Sequence, residues 1–157
     1  MYNALVIIII FVLDRISKLL IINSTNPLGE INIPVNSFLN FNLIWNEGIA
    51  FGLFSFDEKL FYNLLTLFIC IIVIIIVRFM LKSSGTEKIG FLMIIGGSLG
   101  NIFDRIYYSS VPDFIDLHYD NFHWFIFNVA DIFITLGIIF LIGIEIFNDK
   151  KVKNENY

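Results

Sequence analysis

Two aspartates in the second half of the chain could carry out chemistry together. Asp113 lies in the run VPDF (111–114), and Asp131 ends the run FNVAD (127–131). An ionisable residue within an apolar segment is costly, so it indicates a functional site or a specific partner. Two carboxylates that share a site poor in water do not ionise together easily, and one of them keeps a proton. Such a pair provides a general base and a general acid, which can hydrolyse an amide bond without a metal.

Each aspartate also has a structural interpretation. Asp113 is expected on the loop after the third apolar stretch, where it could be an ordinary acidic residue like Asp116 and Asp120. Asp131 is expected about two turns into the fourth apolar helix, where it could be a buried acid bonded to a neighbour. Its depth in an apolar helix favours the functional interpretation.

Polar residues recur at helical spacing on three predicted helices. In chain order they are Asp14 and Lys18, then Gly97, Asn101 and Arg105, then Asn128, Asp131 and Thr135. Residues spaced in this way share one face of a helix. Counted at about 1.5 Å per residue, all three groups fall in the outer half of a bilayer. Asn101 and Asn128 could bind the aspartates or a substrate, or they could be polar contacts between helices.

The charged residues near these positions also have structural interpretations that involve no chemistry. Asp14 and Lys18 are interpreted as an ion pair that braces a helix rather than as catalytic groups. Ser17 is next to Lys18, but adjacent helical residues point about 100° apart, so direct activation of the serine is not expected. Arg105 could bind a lipid phosphate or pair with its neighbour Asp104.

The composition is that of a membrane protein. Of 157 residues 57% are hydrophobic, and the net charge of −4 without a long basic run argues against nucleic acid as a partner. Four apolar stretches have about the 20 residues that a membrane-spanning helix needs: 4–22, 60–80, 89–107 and 124–147. We therefore predict one all-α membrane domain, 1–157, with the segments 23–59 and 108–123 outside the bilayer.

The distribution of basic residues predicts the orientation. Two inner segments hold most of them, namely Arg78, Lys82, Lys88, Lys150, Lys151 and Lys153. Both termini are therefore predicted to be cytoplasmic. In the first outer segment, apolar residues alternate over 31–35 and 41–43, which predicts a small sheet on the membrane surface. Trp45 is expected to anchor this sheet at the interface.

One group of residues raises the question of a metal site. His118 and His123 lie close in sequence to Asp113, Asp116 and Asp120. Their spacing matches no familiar ligand pattern, and solvated residues of an outer loop are the favoured interpretation. No metal is therefore expected.

Five motifs together resemble the signal peptidase II family, the bacterial membrane aspartyl peptidases that process lipoproteins. In chain order they are Asp14-x-x-Ser17-Lys18, Asn46-x-Gly48-x-Ala50-Phe51-Gly52, Gly96-Gly97-x-x-Gly100-Asn101-x-x-Asp104-Arg105, Val111-x-Asp113-Phe114 and Phe127-Asn128-x-Ala130-Asp131. The resemblance implies four membrane helices with a small sheet and a short helix on the outer surface. Arg15 stands where the family often has glutamine, and Pro112 where it often has an aliphatic residue.

The resemblance also implies roles for individual residues. Asp113 and Asp131 would be the catalytic pair. Nine further residues would shape the site or hold the substrate: Asp14, Lys18, Asn46, Gly48, Gly97, Asn101, Arg105, Asn128 and Ala130. We expect the outer sheet and the segment 46–54 to close over the substrate. No cofactor is implied.

The implied reaction is removal of the signal peptide from a prolipoprotein, on the N-terminal side of a cysteine that carries diacylglycerol. The partners would be this substrate and membrane lipid, with the chain a monomer in the bacterial cytoplasmic membrane and the site towards the outer face. Two other classes compete: a proton-coupled transporter using Asp14, Lys18 and Asp131, and a phosphotransferase acting on lipid headgroups near Asp104 and Arg105. The transporter would need polar residues in the inner half of the bilayer, where the sequence has almost none. The phosphotransferase would need an acidic metal-binding cluster that faces the cytoplasm, and the sequence shows none.

Overall fold

A computed structural model describes residues 2–26, 29, 31–48, 58–120 and 122–155, of which 58, 59 and 149–155 are described as backbone only. These residues form four helices and four strands. In chain order they are α1 (Tyr2–Asn23), β1 (Asn32–Asn36), β2 (Leu39–Asn46), α2 (Glu58–Lys82), α3 (Glu87–Tyr108), β3 (Val111–Tyr119), β4 (Phe122–Phe127) and α4 (Val129–Glu155). The protein is thus mostly helical with one small sheet, rather than all-α.

Helix α3 is the centre of the helical layer. It packs against each of the other three helices, and most extensively against α4. Its sequence permits this because small residues let neighbouring backbones approach closely. A Cβ at Gly97 would collide with the backbone carbonyl oxygen of Ala130 on α4. The close contact between α3 and the start of α4 therefore depends on Gly97.

Three helices in the described part of the chain are long and apolar enough to cross a membrane. Their spans are Leu60–Lys82, Glu87–Tyr108 and Val129–Asn148. Much of α2 is exposed apolar surface, with Leu64, Phe68 and Ile74 each more than half exposed, as expected of a face towards lipid. Helix α1 has a similar length of 22 residues but carries three charged side chains, which are Asp14, Arg15 and Lys18.

The four strands form one antiparallel sheet in the order β1-β2-β3-β4. The strands β1 and β2 confirm the sheet that apolar alternation predicts in the first outer segment. The second half of the sheet is formed by β3 and β4, where the sequence predicts a loop and the start of a membrane span. Phe114 of β3 packs with Ile21 of α1 and Ile31, and this cluster anchors the sheet on the helices.

Two positions predicted from the sequence are therefore wrong. Asp113 lies on strand β3, not on a loop, because α3 ends at Tyr108 and Ser109 adopts a left-handed conformation that turns the chain into the sheet. Asp131 lies in the first turn of α4, not about two turns deep, because β4 occupies residues 122–127. Apolarity alone cannot distinguish an aromatic strand from the beginning of a membrane helix.

The remaining expectations for the outer surface concern a short helix and a closing segment. No short surface helix occurs among the residues that the structure describes. Of the segment 46–54, only residues 46–48 are described, so the predicted closing movement lies largely outside the described residues. Trp45 is partly exposed on β2, with its ring centroid 5.2 Å from that of Tyr108.

Candidate active site

Asp131 is held by the first turn of α4 in a reciprocal capping arrangement. The backbone N–H of Asn128 donates to Oδ2 of Asp131 at 3.1 Å, and the backbone N–H of Asp131 donates to Oδ1 of Asn128 at 3.1 Å. This is the capping-box geometry, with Asn128 as the N-cap and Asp131 three residues later. The positive end of the helix dipole lies at this turn and favours a negative charge there.

Asp113 is held between two side-chain amides. Nδ2 of Asn128 donates to its Oδ1 at 2.6 Å, and Nδ2 of Asn46 donates to its Oδ2 at 2.9 Å. Both amide orientations follow from backbone donors, because Oδ1 of Asn128 accepts from the N–H of Asp131 and Oδ1 of Asn46 accepts from the N–H of Gly48 at 2.8 Å. Asn128 thus bonds to both aspartates, which we call the aspartate dyad.

Burial changes the acid strength of Asp113. The side chain is almost fully buried on β3, and this desolvation raises its pKa to about 6. The bonds from Asn46 and Asn128 lower the pKa, the charge of Asp131 raises it, and Lys18 lowers it, so desolvation outweighs the donors. Asp113 can therefore exchange a proton near neutral pH, which is the property that a general acid or base needs.

Asn101 connects the dyad to a buried lysine. Nζ of Lys18 donates to Oδ1 of Asn101 at 2.9 Å, and Nδ2 of Asn101 donates to Oδ1 of Asp131 at 2.8 Å. An ammonium group can only donate, so Lys18, together with the longer bond of 3.2 Å from Nδ2 of Asn128, fixes which way the amide of Asn101 points. The amide nitrogen is thereby directed at Asp131, where it stabilises a carboxylate.

Lys18 lies in a fully buried ion cluster. Besides Asn101, its ammonium donates to Asp14 at 2.9 Å and to Asp104 at 2.6 Å, so all three of its protons are used. Asp14, Lys18 and Asp104 are all 0% exposed. Arg15 completes the cluster through contacts with both carboxylates. The two negative charges of the acids are balanced by the two positive charges of the bases, and buried charges are usually paired in this way.

Asp14 also connects this cluster to the dyad. Its Oδ1 accepts the backbone N–H of Ala130 at 3.0 Å, which satisfies another of the free N–H groups at the start of α4. The carboxylate reaches this position beside Gly100, where a Cβ would lie 2.5 Å from Oδ2 of Asp14. Asp14 therefore supports the turn that holds Asp131, which agrees with the bracing interpretation of the Asp14–Lys18 pair.

Two supporting residues lie at the edge of the site. Gly48 has a φ of +74° and donates to Asn46, so a residue with a side chain would be strained there. Arg105 donates to the backbone carbonyl of Asn101 at 3.1 Å, and its buried Nε has no hydrogen-bond partner in the part of the chain that the structure describes. The alternative that Arg105 pairs with Asp104 is wrong, because Asp104 pairs with Lys18 and Arg15.

The sequence interpretation missed the role of Asp104 and of Arg15. Their partners lie on another helix, so no local spacing reveals the contact. A signal was nevertheless present, because α1 carries a surplus positive charge that requires a buried acid on a neighbouring helix. Arg15 contacts Asp104 and Asp14, and its guanidinium carbon lies 4.9 Å from the ring centroid of Phe103.

Two cavities flank the dyad. Asp131 lines one of about 580 Å³, together with aromatic and aliphatic residues that include Phe127, Trp124, Ile132 and Leu136. Asp113 lines another of about 410 Å³ at the sheet, next to Asn46 and Trp45. A chain passing the dyad would therefore have space on both sides of the two carboxylates.

Comparison with known proteins assigns the family. The model of a family described as signal peptidase (SPase) II matches residues 6–147, which include the dyad and all nine supporting positions. The chain belongs to the signal peptidase II family. The family that the five motifs predict is thereby confirmed, as is its class of membrane aspartic peptidase. The transporter and phosphotransferase alternatives are not supported.

Individual relatives agree with this assignment. A lipoprotein signal peptidase of Pelagibacter ubique (strain HTCC1062) is 48% identical over 155 residues, covering 98% of this chain and 93% of the relative. One of Rickettsia felis (strain ATCC VR-1525 / URRWXCal2) is 36% identical over 154 residues, covering 96% and 76%. A solved structure described as a bacterial membrane enzyme has a TM-score of 0.77 at 28% identity, covering 97% of this chain and 91% of its own. The similarity to this family therefore extends over nearly the whole chain.

Proposed function

We propose that the protein is an aspartyl endopeptidase that removes the signal peptide from diacylglyceryl-modified prolipoproteins. Cleavage falls on the N-terminal side of the lipid-modified cysteine. The observation that carries this proposal is Asn128, which bonds to both Asp113 and Asp131 and so brings a carboxylate of the sheet together with one at a helix N-terminus. The names of the relatives support the substrate class.

In this mechanism the two aspartates have different roles. Asp131, beside the positive end of the α4 dipole and bonded to Asn101, is the carboxylate that removes a proton from the attacking water. Asp113 holds the shared proton and gives it to the scissile amide as the carbon–nitrogen bond breaks. The water oxygen becomes part of the new carboxyl group, and the nitrogen leaves as the free amine of the lipid-modified cysteine.

The apolar cavity next to Asp131 suits the lipid part of the substrate. Its volume is about 580 Å³, and apolar side chains such as Phe125, Ile132 and Leu136 line it. Acyl chains gain about 0.8 kcal/mol for each methylene group removed from water. The diacylglyceryl group therefore lies here, and the extended peptide passes Asp113 on the side of the sheet.

The proposal includes a position in the membrane, which the charged residues support. Four helices cross the bilayer, because the charges of α1 are turned inward, with Asp14 and Lys18 fully buried against α3. The basic residues of the second connection and the tail support an orientation with both termini in the cytoplasm and the dyad towards the outer face. One chain provides the dyad, all its amide partners and Lys18, so a monomer is sufficient for activity.

A cleavage assay tests the proposal. The protein, purified in detergent, is incubated with a prolipoprotein that carries diacylglycerol on its cysteine, and with the same prolipoprotein without the lipid. We expect cleavage of the lipid-modified substrate, unaffected by a metal chelator, and a product whose N-terminal residue is the modified cysteine. Mass spectrometry of both products identifies the bond. Equal cleavage of the unmodified substrate would contradict the role of the lipid.

The pKa of Asp113 predicts a pH dependence. Asp113 is protonated below its pKa of about 6 and loses the proton as pH rises through this value, so kcat/KM should fall over that range. The substitution Asn46→Ala removes a donor that stabilises the carboxylate. The pKa then rises, and the falling limb should move to higher pH by about one unit.

The control for this shift is Asn42→Ala. Asn42 lies on the same strand as Asn46, but the two side-chain amides that hold Asp113 come from Asn46 and Asn128. Its pH profile should match that of the unsubstituted protein. If kcat/KM instead rises near pH 6 and this rising limb shifts in Asn46→Ala, Asp113 is the base and the two roles are exchanged.

A further inference from the structure

Three side chains that the peptidase mechanism does not use meet on the hairpin of β3 and β4. Asp116 and His118 lie two residues apart on β3, and His123 is the partner of His118 on β4. Nδ1 of His123 lies 3.0 Å from both carboxylate oxygens of Asp116, and the rings of His118 and His123 are stacked with centroids 5.3 Å apart. One ligand atom from each of the three residues lies within 4.8 Å of the other two.

We propose that Asp116, His118 and His123 form a binding site for a divalent transition-metal ion such as Zn²⁺. Two imidazole nitrogens and one carboxylate oxygen are typical ligands of Zn²⁺, and a site with three protein ligands leaves one position for water. Calcium and magnesium are not expected here, because both ions prefer oxygen ligands alone. The five residues considered from the sequence included these three, but Asp113 belongs to the dyad and Asp120 is exposed at the turn.

The burial of the ligand atoms supports a bound cation. Asp116 is only 2% exposed, yet its partner in the structure is His123, whose side chain is 52% exposed and carries a full charge only when protonated. Nδ1 of His118 is buried and has no hydrogen-bond partner among the described residues. A buried carboxylate and an unpartnered buried nitrogen are both costly. A metal ion would satisfy both atoms at once.

The ligand atoms of Asp116 and His123 already lie at nearly the separation that a zinc site requires. Ligand atoms about 2.0–2.2 Å from Zn²⁺ in a tetrahedral site lie about 3.4 Å from each other. The distance of 3.0 Å between His123 and Asp116 is already close to this value. The side chain of His123 is half-exposed, so its ring has room to turn towards a bound ion. Bound metal would link β3 to β4 close to Asp113, which is three residues before Asp116 on the same strand.

Equilibrium dialysis against Zn²⁺, with metal analysis of the protein, tests this site directly. The chain is purified in detergent without a histidine tag and dialysed above the ordinary imidazole pKa of about 6.5. We expect one Zn²⁺ per chain, with an affinity that falls as pH drops below this value because protons compete for the imidazoles. The substitutions His118→Gln and His123→Gln should each weaken binding by at least about tenfold.

Asp120→Asn, at the turn of the same hairpin, is the matched control and should bind Zn²⁺ like the unsubstituted chain. Replacement of Zn²⁺ by Co²⁺ gives a second measurement, because imidazole and carboxylate ligands at Co²⁺ produce visible absorption bands that His123→Gln should remove. Less than stoichiometric Zn²⁺ in the folded, unsubstituted chain would overturn the proposal. Equal affinity in His123→Gln would overturn it too, because binding would then take place elsewhere.

Discussion

Replacing either member of the dyad by asparagine, Asp113→Asn or Asp131→Asn, is expected to reduce cleavage of a diacylglyceryl-modified prolipoprotein by at least about 10²–10⁴-fold. This is the usual contribution of one positioned acid or base. Each aspartate is held in its own place by its own pair of hydrogen bonds, so the remaining carboxylate should not take over the role of the one that is replaced. Single-turnover rates of the purified variants measure the loss.

The two substitutions should also cost a little stability. Both carboxylate oxygens of Asp113 accept from amide nitrogens whose orientation is fixed, so one of them would face the NH₂ group of an asparagine at this position. An unsatisfied buried donor costs about 1–3 kcal/mol, which a folded membrane protein can tolerate. Thermal unfolding of the variants therefore accompanies the activity assay and separates loss of chemistry from loss of fold.

Asp120→Asn is the matched control for this experiment. Asp120 is an exposed acid on the same outer hairpin with a φ of +50°, a conformation in which asparagine is well tolerated. Its activity and stability should be unchanged. Full activity of a folded Asp113→Asn or Asp131→Asn variant would show that this dyad does not carry the reaction.

Much of the helical part can be predicted from the sequence because a membrane-length helix must be apolar over about 20 residues. The two apolar stretches 60–80 and 89–107 lie within α2 and α3. The prediction for the fourth stretch is wrong at its start. Residues 122–127 (FHWFIF) are as apolar as a membrane helix, but they form strand β4. The aromatic and β-branched residues of this segment favour a strand, but a hydropathy value does not reflect that preference.

In the site, contacts between residues close in sequence can be predicted, whereas contacts between different helices or strands cannot. Asn128 and Asp131 can be linked from the sequence alone, since residues three apart share one face of a helix. Asp104 could not be assigned in this way, because its neighbour Arg105 offers a local partner while its actual partners lie on α1. His118 and His123 meet only because β3 and β4 pair in a register that a loop interpretation does not contain.

The second large effect is expected from Lys18→Met. The substitution leaves two fully buried carboxylates, Asp14 and Asp104, with Arg15 as their only basic partner among the described residues. Removing one partner of a buried ion cluster costs about 3–5 kcal/mol, because the remaining charge has no water around it. Unfolding in detergent, followed by circular dichroism, should show a large fall in the midpoint temperature. Lys82→Met, at the exposed end of α2, should change stability by less than about 1 kcal/mol.

A double variant separates the charge balance of the cluster from its role at the dyad. Lys18→Met with Asp104→Asn again has equal numbers of acids and bases, so it should recover a large part of the lost stability. Activity should stay low, because the amide of Asn101 then keeps only the longer bond of 3.2 Å from Asn128, and the donor to Asp131 is held less firmly. Recovery of activity together with stability would mean that Lys18 acts on the fold alone. Stability without activity would show that the lysine positions Asn101 for the carboxylate that activates water.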